Sequence, residues 1–180
     1  MTPYELIPKR SNTTARSMVM VLMIGAFALM FFTVLFPTLP FRWVVQLIAL
    51  VLLTAGIFMT TRYLTKLFIY RIISDGASFD LTVTEAAVNG KRQVTVCRVG
   101  LGGIQERCLL EQSNAEETKK RFDTLKKEQI KLYDYCVDYR PVKSILILAE
   151  EGEQSFAIRL SYDEELWSYL SPMEKEEEQE

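Results

Sequence analysis

Two long apolar runs near the start of the chain constrain its fold more than any other feature of the sequence. Residues 18–36 and 43–61 are each free of charged side chains over 19 positions. As helices rising about 1.5 Å per residue, both runs approach the ~30 Å hydrocarbon thickness of a bilayer. Because a backbone in hydrocarbon must satisfy its own hydrogen bonds, the sequence predicts two transmembrane helices.

The flanks of these runs indicate a hairpin with a defined orientation. The connection 37–42 is only long enough to turn the chain around, so both ends of the hairpin face one side. Basic residues lie mainly outside the hairpin, which by the positive-inside rule predicts cytoplasmic N- and C-termini in a multi-pass cell-membrane protein. The alternative is that the first run is a cleaved signal peptide; the run exceeds the usual apolar core of about 7–15 residues, and a second run follows. The basic residues are Lys9, Arg10 and Arg16 before the hairpin, Arg42 in its loop, and Arg62, Lys66 and Arg71 after it.

Charge divides the chain at about the same place. Residues 1–71 hold seven basic and one acidic side chain, whereas residues 72–180 hold 14 basic and 22 acidic ones. A basic, apolar front followed by an acidic back predicts a membrane anchor and a soluble domain. The expected boundaries are a cytoplasmic N-terminal segment at 1–17, the hairpin at 18–63, a cytoplasmic domain at 64–171, and a disordered acidic tail at 172–180.

Residue usage argues against catalysis and cofactors. The chain contains no histidine, which excludes a Ser-His-Asp triad, a Cys-His pair, a histidine-containing metal site and an imidazole proton shuttle. Its three cysteines, Cys97, Cys108 and Cys136, are an odd number at wide spacing. That pattern predicts reduced, buried thiols in a cytosolic domain rather than a disulfide framework. We expect no enzymatic activity, no cofactor and no metal.

Beyond about residue 67 the apolar period falls to two, which predicts an antiparallel sheet of about seven short strands in an α+β domain. Asp75-Gly76 and Asn89-Gly90 are expected hairpin turns. Residues 100–103 are read as a turn rather than a phosphate loop, because no Lys-Ser/Thr pair follows the glycines. The strand candidates are 67–74, 78–83, 86–88, 91–99, 104–111, 132–139, 144–149 and 154–160.

Two helices complete the predicted domain. Ser113 and Glu116 form the pattern of a capping box ahead of a surface helix that runs to about residue 129. Ser161 and Glu164 repeat the pattern ahead of a C-terminal amphipathic helix, which Pro172 would end.

This succession of elements resembles the bacterial pleckstrin-homology-like (PH-like) membrane proteins over about residues 18–171. The stretch 79–88 (FDLTVTEAAV) is similar to an early strand-turn-strand segment of that group, 99–104 (VGLGGI) to a later Leu-x-x-Ile segment, and 156–170 to the last strand and capping helix. The resemblance implies a β-sandwich or barrel with a C-terminal capping helix, the helix at 113–129 being an insertion. It also implies a binding or scaffold module, and it transfers no site residues.

The candidate binding residues are basic. Arg62, Lys66 and Arg71 follow the second run and are candidate contacts for anionic lipid, although topology determination explains them equally well. The lysines and arginine at 119–121 and 126–127 alternate with acids, which favours a solvated helix face over binding of lipid or nucleic acid. We expect no nucleic-acid partner.

These expectations lead to two functional hypotheses. The first is a membrane-anchored, non-enzymatic interaction or scaffold module at the cytoplasmic face, whose strand edges or loops bind other membrane or cytoplasmic proteins. The alternative is an accessory subunit of a transporter or envelope assembly that acts mainly through its transmembrane hairpin.

Overall fold

The computed structural model describes residues 4–9, 13–38, 40–74, 79–87, 92–151 and 154–170, which form an α+β protein with two long N-terminal helices and two four-stranded sheets. The helices are α1 (Thr14–Leu35), α2 (Arg42–Tyr63), α3 (Ala115–Lys127) and α4 (Glu164–Tyr169). The strands are β1 (Tyr4–Leu6), β2 (Lys66–Ser74), β3 (Phe79–Ala87), β4 (Gln93–Gly100), β5 (Ile104–Glu111), β6 (Lys131–Asp134), β7 (Lys143–Glu151) and β8 (Gln154–Ser161). The predicted turns at Asp75-Gly76 and Asn89-Gly90 and the predicted tail at 172–180 lie outside the described residues.

Helices α1 and α2 pack against each other as an antiparallel hairpin through small side chains. Ala26 is 2% exposed and Ala49 1%, and Gly56 lies against Met23 of α1. Both helices, 22 residues each, are long and apolar enough to cross a membrane. Only 17% of the apolar stretch of each helix is buried, so the large side chains of the hairpin point outward. The predicted pair of apolar helices is therefore confirmed, with α1 starting four residues earlier than expected.

The N-terminal segment contains a strand that the sequence did not predict. Strand β1 pairs antiparallel with β2, Tyr4 lying opposite Ile72. Tyr4 also donates a hydrogen bond from its hydroxyl to Asp163 Oδ1 at 2.9 Å. Because β1 precedes α1 and β2 follows α2, the chain on both sides of the hairpin belongs to one sheet.

The first sheet has the order β1-β2-β3-β4 and is antiparallel throughout. The predicted separate strands 78–83 and 86–88 are wrong, because β3 runs without a break from Phe79 to Ala87. Its pairing with β4 shifts register between Val83 and Thr84. Such an irregularity disturbs the apolar alternation on which the prediction depended.

The second sheet has the order β5-β7-β8-β6 and corrects two predictions. An entirely antiparallel sheet is wrong, because β6 runs parallel to β8. Helix α3 connects β5 to β6, and a crossover of that length lets the chain re-enter the sheet in either direction. The predicted strand 132–139 is also too long: β6 ends at Asp134, whose Oδ1 accepts a hydrogen bond from the Cys136 amide at 3.0 Å. With β1 included, the described residues form eight strands rather than about seven.

The main core lies between the two sheets. Its fully buried members include Tyr70 from the first sheet, Ile147 and Leu160 from the second, and Leu166 from α4. The buried Tyr70 hydroxyl donates to the Tyr135 carbonyl at 2.8 Å and accepts from the Ser161 amide at 3.2 Å. Tyr70 thus links the first sheet to two segments of the second, and its buried hydroxyl has hydrogen-bond partners as both donor and acceptor.

Both predicted capping boxes are wrong, although both helices exist. Ser113 donates to the Glu111 carboxylate at 3.2 Å, and the N-cap of α3, Asn114, makes no side-chain capping bond. Ser161 is the last residue of β8, and Asp163 caps α4 by accepting from the amides of Glu165 and Leu166, both at 3.1 Å. Strand pairing holds the chain extended through position 161, so the helix starts later. The predicted turn at 100–103 is confirmed as one short 3-10 turn, Leu101–Gly103.

Candidate functional site

Each of the three basic residues proposed for lipid contact has a partner within the protein. Lys66 forms an ion pair with Glu85, Nζ to Oε1 at 2.9 Å, across strands β2 and β3. Arg71 forms another with Glu5 of β1, Nε to Oε2 at 3.0 Å. Arg62 lies at the end of α2 and is directed toward the second sheet. The three cations therefore make different contacts within the protein.

Arg62 instead joins the hairpin to the domain. Its guanidinium carbon lies 5.0 Å from the ring centroid of Tyr63 and 4.9 Å from that of Phe68. Nη2 donates to the carbonyl of Asp134 at the end of β6, and Nη1 is buried with no hydrogen-bond partner among the described residues. Beside it, the rings of Tyr63 and Tyr139 meet edge to face at 5.3 Å. These contacts fix the direction in which the domain projects from the end of α2.

The most distinctive surface of the domain is an open groove where the two sheets end side by side. Strand β4 is the last strand of the first sheet and β6 the last of the second. Between them lies a cavity of about 510 Å³. Its lining residues are Val96, Cys97, Arg98, Lys131, Tyr133, Tyr135, Gln154, Ser155 and Phe156. We call this cavity, together with the outer edge of β4, the edge groove.

Aromatic rings form one wall of the edge groove. Tyr133 and Tyr135 lie with their planes 4° apart and their centroids 6.3 Å apart, and Phe156 meets Tyr133 edge-on at 6.1 Å. The Tyr135 hydroxyl donates to the Val96 carbonyl at 3.4 Å, which links the two sheets across the groove. Burial raises the pKa of Tyr135 to about 12, so this phenol stays protonated and remains a donor at neutral pH.

Strand β4 forms the other wall, and among the described strands it pairs only with β3, so its other edge has no strand partner there. An edge strand presents a row of backbone amides and carbonyls that can pair with another chain. Natural edges are usually kept short or covered. In the described part of the chain, β1 has three residues and β6 has four; β5 has eight, and α3 packs on one face of its sheet, with Arg121 of α3 paired to Glu106 at 2.9 Å. Strand β4 has eight residues, and its valines are exposed: Val94 by 47% and Val96 by 37%.

Two cationic side chains, Arg98 and Lys131, line the edge groove. Arg98 Nη2 lies 2.6 Å from Asp80 Oδ2, with 63% of the arginine side chain still exposed. Lys131 lies over the ring of Tyr133, with Nζ 4.9 Å from its centroid. The described residues that line the cavity include no Asp or Glu. An acidic or neutral occupant therefore fits the groove better than a basic one.

Of the three thiols expected to be buried, Cys136 is buried, whereas Cys97 and Cys108 are only partly buried. No group of three or more His, Cys, Asp or Glu that could hold a metal is present in the described ranges. Burial raises the pKa of the Cys108 thiol and, more strongly, that of Cys136, which favours the unreactive protonated form.

Sequence reasoning missed the edge groove. The strand spacing of Tyr133 and Tyr135 favours a common buried face, but β6 ends between them and both rings line the cavity. Exposed Val94 and Val96 alternate with polar residues as a core-facing set would. Whether a strand lies at a sheet edge depends on its neighbours in space, and no local pattern records this.

Comparison with known proteins gives no match to a family model, to a curated protein or to a solved structure.

Proposed function

We propose that this protein is a membrane-anchored, non-enzymatic interaction module that binds an extended segment of a partner protein along β4. The observation that carries the proposal is the eight-residue edge of β4, which has no partner among the described strands, beside a cavity lined by aromatic and cationic side chains. A partner strand would pair with the backbone of β4 and place alternate side chains into the edge groove. The backbone pairing supplies affinity, and the aromatic wall supplies selectivity.

The hairpin is the proposed anchor. Large apolar side chains cover its outer surface, with Val21 exposed by 70%, Phe27 by 64% and Phe58 by 68%. Such a surface is costly in water and favourable in hydrocarbon. The pairing of β1 with β2 supports a hairpin whose two ends lie on one side of the bilayer, and it argues against removal of the first helix as a signal peptide. The distribution of basic residues supports the cytoplasmic side.

We also propose that the domain is a variant of the PH-like fold. Two four-stranded sheets enclose one core, and α4 contributes the fully buried Leu166 to that core at the C-terminal end. The variant would carry three additions or changes: the N-terminal strand β1, the helix α3, and the parallel strand β6. The functional proposal rests on the edge of β4 and does not require this assignment.

Site-specific photocrosslinking in native membranes tests the binding role. A photoreactive residue at Val94 of the full-length chain should crosslink to one predominant protein. The same residue at Leu109 of β5, exposed by 36%, is the matched control and should not. In a second arm, Val96→Lys should abolish the crosslink from position 94, and Leu109→Lys should preserve it. Equal crosslinking from positions 94 and 109 would contradict the proposal.

A groove on the hairpin favours the alternative, an accessory subunit that acts through its helices. A cavity of about 660 Å³ lies on the surface of α1 and α2, and the exposed Gln46 brings a polar amide to its apolar lining. Polar side chains at such positions can hydrogen-bond to a neighbouring helix. Crosslinkers at Phe27 and Phe31 in the full-length chain would then capture the partner, and Gln46→Leu would reduce that capture. Capture from these positions without capture from Val94 would replace the leading proposal with this one.

A further inference from the structure

A second cavity, of about 390 Å³, lies between α3 and the second sheet, away from the edge groove. Three of its lining residues are cationic: Lys119 on α3, Arg140 in the connection between β6 and β7, and Arg159 on β8. The remaining lining residues are Leu110, Glu111, Gln112, Ala115, Thr118, Phe122, Tyr139 and Pro141. We call this space the α3 cavity.

Arg159 is the most buried of the three cations, with 18% of its side chain exposed. Its Nε donates to Ser144 Oγ at 3.0 Å. Its nearest carboxylate oxygen, Asp134 Oδ2, is 3.8 Å from Nη1, too far for a hydrogen bond. A guanidinium has five N–H donors, so Arg159 can still donate to a ligand in the cavity.

Aromatic rings support both arginines. The guanidinium carbon of Arg159 lies 5.6 Å from the ring centroid of Phe122, and that of Arg140 lies 5.6 Å from that of Tyr139. A guanidinium stacked on a ring loses less freedom on binding, because its plane is already oriented. The two planar donor groups are therefore prepared for an anion with several acceptor oxygens.

The single acid among the described lining residues is already engaged. Glu111 Oε1 lies 2.9 Å from Lys143 Nζ, and the hydrogen bond and charge of Lys143 hold the pKa of Glu111 below its usual range. At neutral pH this carboxylate is ionised and its charge is offset by Lys143. Three cations and this one acid are therefore the charged groups among the described lining residues.

The α3 cavity lies beside the end of the hairpin. Tyr139 lines it and packs against Tyr63, the last residue of α2, at 5.3 Å between ring centroids. With α2 spanning a bilayer, Tyr63 marks the level at which the hydrocarbon ends and phospholipid headgroups begin. A headgroup phosphate is thus an anion found at the height of this cavity.

We infer that the α3 cavity binds a phosphate group through Arg159, Arg140 and Lys119, and that an anionic phospholipid headgroup supplies it. Paired guanidinium donors match the tetrahedral oxygens of phosphate, to which arginine donates two parallel hydrogen bonds. The inference is independent of β4 and extends the proposed function, because a bound headgroup would hold the domain against the membrane surface.

Titration of the full-length chain in nonionic micelles tests the inference. The probes are dioctanoyl phosphatidic acid and inorganic phosphate, measured by calorimetry at low salt, with dioctanoylglycerol as the phosphate-free control. The variant Lys119→Gln/Arg140→Gln removes two exposed cations of the cavity. The matched control Lys120→Gln/Lys127→Gln removes two exposed cations of α3 that do not line it.

Phosphatidic acid should bind the native chain, and dioctanoylglycerol should not. The cavity variant should bind about thirtyfold more weakly, because each near-surface cation contributes about fivefold to the attraction of an anionic lipid. The control variant should retain native affinity, and unchanged circular dichroism would exclude misfolding in both. Tighter binding of phosphatidic acid than of phosphate assigns the source as lipid, and equal affinities assign it as the free ion. Equal losses in the two variants, or no binding of either phosphate probe, would overturn the inference.

Discussion

The hairpin and the domain place their apolar residues in opposite ways. In the domain, large side chains such as Tyr70, Ile147 and Leu160 are fully buried between the sheets. In the hairpin, small residues such as Ala26 and Ala49 form the buried seam, and the large residues face outward. The domain is therefore stabilised by removing apolar surface from water, whereas the hairpin leaves that surface for its surroundings to cover.

The largest contrast should come from truncating one large side chain in each region. Ile147→Ala should lower the free energy of unfolding of the domain by about 2–5 kcal/mol, because it leaves a cavity in a fully buried site. Leu50→Ala in α2, where the side chain is 61% exposed, should change the stability in micelles by less than about 0.5 kcal/mol. Denaturant unfolding of the full-length chain, followed by Trp167 fluorescence and circular dichroism, measures both. Similar losses at the two sites would break the comparison.

A polar defect in the core should have the next largest effect. Tyr70→Phe keeps the ring but leaves the Tyr135 carbonyl and the Ser161 amide without their partner. We expect a loss of about 1–3 kcal/mol by the same unfolding assay, because unpaired buried polar groups are costly. Tyr169→Phe, at a tyrosine that is 45% exposed, is the matched control and should be nearly neutral. A neutral Tyr70→Phe variant would show that water reaches this part of the core.

Alkaline pH should act on the domain through its buried acids. Burial raises the pKa of the Cys136 thiol well above its usual value near 9, so the folded state keeps a proton that the unfolded state loses. The free energy of unfolding should fall as pH rises above about 9, by on the order of 1 kcal/mol per pH unit from this group. Burial also raises the pKa of Tyr70, which adds to the loss above about pH 10. Cys136→Ala should make the fall between about pH 9 and 10 shallower, the remainder coming from Cys108, whose pKa burial also raises, and a pH profile identical to that of the native chain would count against this account.

The smallest expected effect concerns the seam of the hairpin. A Cβ added at Gly56 would lie 3.0 Å from Met23 Sδ, so Gly56→Ala must displace a flexible thioether. We expect the free energy of unfolding of the hairpin to fall by about 0.5–1 kcal/mol. Thermal unfolding followed by the circular dichroism of the helices measures this loss. At Gly25 the nearest atom, Leu52 Cδ1, is 4.0 Å away, so Gly25→Ala should be neutral or slightly stabilising. If the small residues of the seam hold the hairpin together, Gly56→Ala should be less stable than Gly25→Ala. Equal stabilities of the two variants would show that the seam is unimportant.

Sequence reasoning succeeded where local composition determines structure. Helices α1 and α2 follow from uninterrupted apolar runs; α3 was also predicted, although the capping box that indicated its start is not formed. Prediction from sequence failed where pairing with a distant segment of the chain determines the structure. The three residues of β1 form a strand only because β2, beyond the whole hairpin, pairs with them, and the direction of β6 depends on how α3 crosses the sheet.

The candidate site was even less accessible from the sequence. The position of Arg62 after an apolar run indicates nearness to the membrane surface, but not that Phe68 and the Asp134 carbonyl would bind its guanidinium. Likewise, Arg140 and Arg159 are 19 positions apart and share a cavity only because the second sheet brings them together.

Extraction and flotation of membranes test the central claim, that α1 and α2 anchor the chain in a bilayer. Membranes containing the full-length chain are washed with alkaline carbonate, which releases peripheral proteins, and then floated through a density gradient. The account predicts that the chain floats with the lipid and is released only by detergent. Recovery of the chain as a soluble monomer without detergent would contradict it.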